Sequence, residues 1–387
     1  MQLKEVSQDN IKSFIAVNVL LNKQDPHYIR PLDQDIAAVF DPARNKYYRQ
    51  GKTARWILTD DEDQPIGRIA AFVNKKYRNK GDEGPVGGIG FFDCIQNQEA
   101  ADMLFDVAKH WLLQRGMTAM DGPINFGERD RWWGLVVKGF QPPIYGMNYN
   151  PPYYQSLFEN YGFKPFYNQI CLSRNIRTAL AEKLQARHKV WEQDPNFSAR
   201  PIEKKKLDQY ALDFATVYNK AWAGHGGMKE MAPAAARQLF KSMKPVIDEK
   251  ICWFAYHKNE PIAIYINLPD LNEWFKYLNG QFDLWHKLKF LWIKKTKPCR
   301  KCTGIVFGVV PEWQGKGIDA YMIGEAAKII QHKTDYTDFE MQWIGDFNPK
   351  MINVGEGIGD TERSRMLCTY RYLFDRTKPF KRHPAIS

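Results

Sequence analysis

The chain has 387 residues, 44% of them hydrophobic and 14% aromatic, and a formal net charge of +11. That much apolar material excludes a disordered chain and suffices for at least two packed cores, while no apolar run reaches the length of a membrane span. The N-terminal MQLKEVSQDNIKSF is polar where a secretory leader needs its apolar stretch, so a cytoplasmic protein is expected, and the positive charge is attached to no recognisable nucleic-acid module.

In chain order, residues 54–74 (ARWILTDDEDQPIGRIAAFVN) predict a β-hairpin: an aromatic-rich strand, a polar turn, then a second apolar strand opened by Pro65-Ile66. Residues 86–94 (VGGIGFFDC) predict a buried strand. In residues 99–115, Ala100, Leu104, Val107, Ala108, Trp111 and Leu112 recur at helical spacing. A strand over 117–124 follows, then an insertion, 125–150, holding Arg131-Trp132-Trp133, for which core packing is the favoured reading. Residues 153–163 (YYQSLFENYGF) predict a helix closed by a glycine turn.

The order then repeats. Residues 251–270 (ICWFAYHKNEPIAIYINLPD) form a second hairpin, with Pro261-Ile262 in the place of Pro65-Ile66. An apolar strand over 303–310, an amphipathic helix over 317–332 and a strand over 338–344 match their counterparts in the first half. The chain is therefore expected to be two α/β units of one topology: residues 1–175, a polar linker over 176–202, and residues 203–387.

The second half carries its insertion at 271–302, and residues 269–302 hold eight Lys/Arg against three Asp/Glu. Within it FDLWHKLKFLWI (282–293) predicts a basic amphipathic helix. That helix either covers the core or, over 282–297, rests on an anionic membrane surface. Cys299 and Cys302 form a lone CxxC with no second pair or nearby histidines, so zinc or redox chemistry is not expected.

Only the second half places glycines where a strand hands over to a helix, in Gln314-Gly315-Lys316-Gly317. The first half has Ile95-Gln96-Asn97-Gln98 there. A helix N-terminus offers unsatisfied N–H groups and the positive end of the macrodipole, and glycines ahead of it admit a ligand to the backbone. The pattern suits a phosphate, or it merely punctuates a tight turn.

With these residues the chain resembles the GNAT superfamily of acyl-CoA N-acyltransferases, in tandem form, and in particular an uncharacterised bacterial two-unit group sharing Tyr218-Asn219-Lys220-Ala221-Trp222 and Gly315-Lys316-Gly317-Ile318-Asp319-Ala320. The resemblance implies an α/β fold with a mixed sheet, an acyl-CoA co-substrate (acetyl or longer) and a small-molecule amine acceptor, with no metal. It places the coenzyme at Gln314, Gly315, Lys316, Gly317, Ile318 and Asp319, with Asn348 nearby and an amide at Val309 or Val310 holding the thioester. Asp319 departs from the Gly or Ala that the family pattern has at that position. Glu340 is the expected base, Tyr370 or Tyr372 the acid for the departing thiolate, and His225 and Trp222 the acceptor-side contacts. The rival readings are a Fem-like aminoacyl or long-chain (lipid amine) transferase, and a non-catalytic acyl-CoA-binding protein.

Overall fold

A computed structural model describes residues 1–222 and 230–385. The first half runs β1 (Gln2–Glu5), α1 (Ile11–Asn22), α2 (Asp33–Val39), β2 (Gly51–Thr59), β3 (Pro65–Asn74), β4 (Val86–Cys94), α3 (Gln98–Leu113), β5 (Ala119–Gly122), β6 (Leu135–Lys138), α4 (Tyr154–Tyr161) and β7 (Lys164–Asn175). The second runs α5 (Glu182–Lys189), β8 (Phe197–Pro201), α6 (Leu207–Trp222), α7 (Pro233–Met243), β9 (Cys252–His257), β10 (Glu260–Pro269), α8 (Asn272–Phe275), α9 (Leu284–Thr296), β11 (Lys301–Val309), α10 (Ile318–Ile330), β12 (Asp338–Met341), β13 (Ile344–Gly345), α11 (Pro349–Glu356) and β14 (Glu362–Leu373).

The repeat read from the two hairpins extends through both halves. β2 and β3 pair antiparallel, as do β9 and β10, and β4–β5 and β11–β12 are the parallel neighbours that the strand-helix-strand order requires. Residues 176–202 are more than a polar linker: they contain α5 and β8, and β8 pairs with β9 as the outer strand of the second half.

All strands join one mixed sheet of order β1-β2-β3-β4-β5-β14-β7-β12-β11-β10-β9-β8, with β6 and β13 pairing off this path. The last long strand of each half has crossed over. β14, from the second half, lies against β5 of the first, while β7, from the first, lies against β12 of the second. Two buried arginines pin β14 on both sides. Arg371 forks onto Asp121 of β5 at 2.6 and 2.8 Å, and Arg365 reaches Glu340 of β12 at 3.2 Å.

Each half has its own core. In the first, α3 and α4 bury Leu104, Phe105, Leu112 and Phe158 on one face of the sheet; in the second, α10 buries Ile318, Met322 and Ala326. Trp132 and Trp133 are buried with Phe14, Phe40 and Phe126, as the cost of exposing two indoles predicts.

Candidate functional site

The glycine loop is built to leave amides open. Gly315 and Gly317 have φ of 73° and 90°, a left-handed conformation that favours glycine, and Gly317 caps α10 without a side-chain hydrogen bond. A Cβ at Gly315 would meet nothing within 4 Å. The N–H groups from Gly315 to Ala320 find no acceptor among the described residues. The equivalent helix in the first half closes itself, since the Asn97 side chain accepts from Ala100 N–H at 2.9 Å. The two helix starts therefore differ in chemistry: a side chain caps α3, whereas α10 presents a longer run of uncapped donors to an anion.

Beside this loop the sheet opens. β11 pairs with β12 only from Lys301 to Gly304. Ile305 is then an extra residue in the register with β10, a bulge that turns the rest of β11 away. Val310 donates its N–H to Ile262 O at 2.9 Å, so Val310 and Ile262 are a hydrogen-bonded pair. The neighbouring pair, Val309 with Ala263, is then non-hydrogen-bonded, and the polar groups of Val309 face the gap. Gln314 Nε2 donates to Val309 O at 2.9 Å and ties the loop to this strand. Of the two expected amides, Val309 is available and Val310 is taken. Trp222, at the end of α6, lies over Gly308, where an added Cβ would approach its ring at 2.1 Å. His225 lies outside the described residues.

Asp319 does not point a free carboxylate at the loop. Its Oδ1 accepts from Arg187 of α5 at 2.5 Å, and Trp191 Nε1 donates to Lys316 O at 2.9 Å. Sequence reading missed Arg187 and Trp191. They stand more than a hundred residues upstream, in the interval read as a linker, and no local pattern marks them.

Four expectations fail to converge here. Glu340 has 1% exposure and both carboxylate oxygens engaged, Oε2 with Lys301 Nζ at 3.1 Å and Oε1 with Arg365 Nε at 3.2 Å. It stands beside Thr303, six residues before Val309, about 20 Å back along β11 at 3.3 Å per residue. Tyr370 is buried in the core of the first half, with its hydroxyl on Glu159 at 2.8 Å; burial, then the neighbouring anions, push its phenol well above the ordinary range. Tyr372 packs on Tyr161 and Phe163 of the same half. Both tyrosines follow β14 across to the first unit, away from the glycine loop. Asn348 is engaged as the N-cap of α11, accepting from Met351 N–H at 3.2 Å.

Burial pushes the Cys299 thiol up to about 12, opposite to what a reactive CxxC needs. Among the described residues, one group could gather metal ligands: His188, Glu192 and Glu325. Lys328 already bridges its two carboxylates at 2.7 and 2.6 Å, so an ion would have to displace it. The first unit holds a separate cleft in which Arg68 meets Asp93 at 2.6 Å, with Asn18, Tyr28 and Tyr149 around them. Charged residues inside the apolar strands GRIAAF and GFFDC were the available signal for it.

No family model matches the chain. A bacterial ceramide synthase of Caulobacter vibrioides is 26% identical over 356 residues, 91% of this chain and 92% of that protein. A tandem GNAT protein from the clavulanic acid biosynthesis pathway superposes on 98% of this chain and 100% of its own, at 10% identity and a TM-score of 0.54. A GCN5-related glucosamine N-acetyltransferase region within a fungal multi-domain β-N-acetylglucosaminidase superposes on 96% of this chain at 12% identity and a TM-score of 0.53; the chain spans 38% of that protein's length. The fold is that of tandem GNAT proteins.

Proposed function

We propose that the chain is an acyl-CoA-dependent N-acyltransferase that binds its coenzyme at the start of α10 and acylates the amine of a lipid. The observation that carries the coenzyme half is the run of unpaired amides from Gly315 to Ala320, beside a gap in the sheet that faces Val309. The lipid half is supported by the ceramide synthase relative, which aligns along nearly the whole chain. A ceramide is the amide of a fatty acid with a long-chain amino alcohol.

In this reading the coenzyme pyrophosphate takes the amides of residues 315–320 at the positive end of α10. Arg187 offsets the charge of Asp319 next to it. The thioester carbonyl accepts from Val309 N–H. A neutral amine nitrogen attacks the carbonyl carbon, the C–N bond forms, and charge builds on the oxygen that Val309 holds. Collapse breaks the C–S bond, and the proton shed by nitrogen ends on the thiolate, directly or through water. The products are an amide and free coenzyme A. Trp222 forms part of the wall beside the thioester. Glu340, Tyr370 and Tyr372 have no role in this step.

The test is calorimetric titration of acetyl-CoA and palmitoyl-CoA into wild type, Gly315→Asn and Gly315→Asp. Asn tolerates the left-handed backbone and is neutral, so binding should survive within a few-fold. Asp adds a like charge in open space facing the ligand and should weaken binding roughly tenfold or more. Thiol release in the presence of a long-chain amino alcohol then reads turnover. Failure of the wild type to bind either thioester sinks the proposal; binding without thiol release would make the chain a binding protein.

A further inference from the structure

Helix α9 has two apolar faces, and only one is used by the fold. Phe290 and Ile293 turn inward onto Trp274, Phe275, Leu278 and Leu32. On the other side Leu284, Trp285, Leu288, Leu291 and Trp292 remain 75%, 79%, 53%, 59% and 62% exposed. At 100° per residue these five fall within a sector about 120° wide. They are five of the eleven large apolar side chains exposed among the described residues, so this is a patch and not the usual scatter. Lys287 borders the sector on one side and Lys289 on the other, with exposed Lys295 in the last turn, while the half-buried Lys294 donates to Pro245 O at 2.6 Å. Asp283 caps the helix by accepting from His286 N–H at 3.0 Å, and Asp248 stands near Lys294 on the side away from the exposed apolar sector.

We infer that α9 is an interfacial helix that seats the protein on an anionic lipid bilayer. The outer apolar sector would enter the headgroup boundary, Trp285 and Trp292 at the level their amphipathic rings prefer, and the flanking lysines would meet lipid phosphates. The helix lies on the membrane and does not cross it, since no helix among the described residues is long and apolar enough to do so. Charge decides the occupant. Two copies of the chain joined through this face would set lysine borders against each other, whereas an anionic surface complements them. The inward face anchors the helix on both units, because Leu32 comes from the first. This inference stands on the α9 surface alone and is independent of the coenzyme site.

The experiment is flotation of the full chain with phosphatidylcholine vesicles, with and without phosphatidylglycerol. Wild type should float with the mixed vesicles, less so with phosphatidylcholine alone, and lose binding as salt rises. Trp285→Ser with Trp292→Ser should lower the partition coefficient at least roughly tenfold. Both rings are exposed, so the melting temperature should hold. Lys287→Glu with Lys289→Glu should remove the preference for anionic vesicles. Absence of wild-type flotation, or flotation unchanged by the tryptophan pair, would overturn the inference. Concentration-dependent dimers abolished by the same tryptophan substitutions would instead assign the face to a second copy.

Discussion

Glu340 of β12 and Arg365 of β14 meet at 3.2 Å across an intervening strand, with exposures of 1% and 0%. The strand between them is β7, and the same guanidinium donates to Gln141 O and Pro142 O at 2.9 Å. One buried ion pair thus joins the second half's parallel strand, the exchanged last strand and the first half's insertion. In it both carboxylate oxygens of Glu340 are engaged by cations, Lys301 and Arg365.

Glu340→Gln is expected to destabilise the fold by about 3–5 kcal/mol, because it strands a fully buried guanidinium. Thiol release per folded molecule should persist. Replacing both Glu340 and Arg365 by Met should restore much of the loss. Urea unfolding with activity normalised to the folded fraction checks both; a folded Glu340→Gln protein without turnover would return Glu340 to the catalytic list.

Asp319 and Arg187 make a second cross-chain pair, this one at the mouth of the glycine loop. Removing only the cation, in Arg187→Ala, leaves a carboxylate in the first turn of α10, where the coenzyme phosphates are proposed to sit. Acyl-CoA affinity should fall by roughly five- to tenfold, about 1 kcal/mol for a partly exposed pair. Asp319→Ala in the Arg187→Ala background should recover most of it. A double-mutant cycle by calorimetry gives the coupling; additive effects would show that the pair does not shape the site.

The two hairpins, the strand–helix–strand order and the glycine loop were legible in the sequence because each is written locally, in turn residues and apolar periods. Strand partners were not. TYRYLF shows that 370 and 372 share one face of a strand, but a period of two says nothing about which neighbour that strand joins. The exchange of β7 and β14 places Tyr370 and Tyr372 in the first unit, away from the glycine loop. In FDLWHKLKFLWI the period was readable, yet two apolar faces compete for one core. The fold turns Phe290 and Ile293 inward and leaves Trp285 and Leu288 exposed. Arg187 stands 132 residues from Asp319, beyond any local signal.

Tyr370→Phe follows from that exchange. The variant loses one hydrogen bond, to Glu159 at 2.8 Å, and keeps the ring in its aromatic cluster. A stability loss of about 1 kcal/mol is expected, with the pH profile of thiol release unchanged. A profile whose alkaline limb moves in Tyr370→Phe would identify the phenol as the acid after all.

Asp270 gives a prediction in pH. Its Oδ1 accepts from Tyr145 N–H of the first unit at 3.0 Å and from Asn272 N–H of α8 at 3.1 Å, so it fastens the base of the α8–α9 insertion to the other half. Burial is the largest influence on it and raises its pKa to about 6, the two amides and Lys301 opposing. The folded pKa lies above the unfolded value, so the native state holds the proton more tightly. The carboxyl then contributes full stability below about pH 4, and that contribution is lost as pH rises towards about 6. A displacement of about two pH units corresponds to about 3 kcal/mol. Asp270→Asn keeps an oxygen for the two amides and carries no charge, so its stability should not follow this curve. Measured by urea unfolding, the variant should gain on wild type between about pH 4 and pH 6 and hold the advantage above it. Parallel stability curves for the two proteins across that interval would refute the assignment.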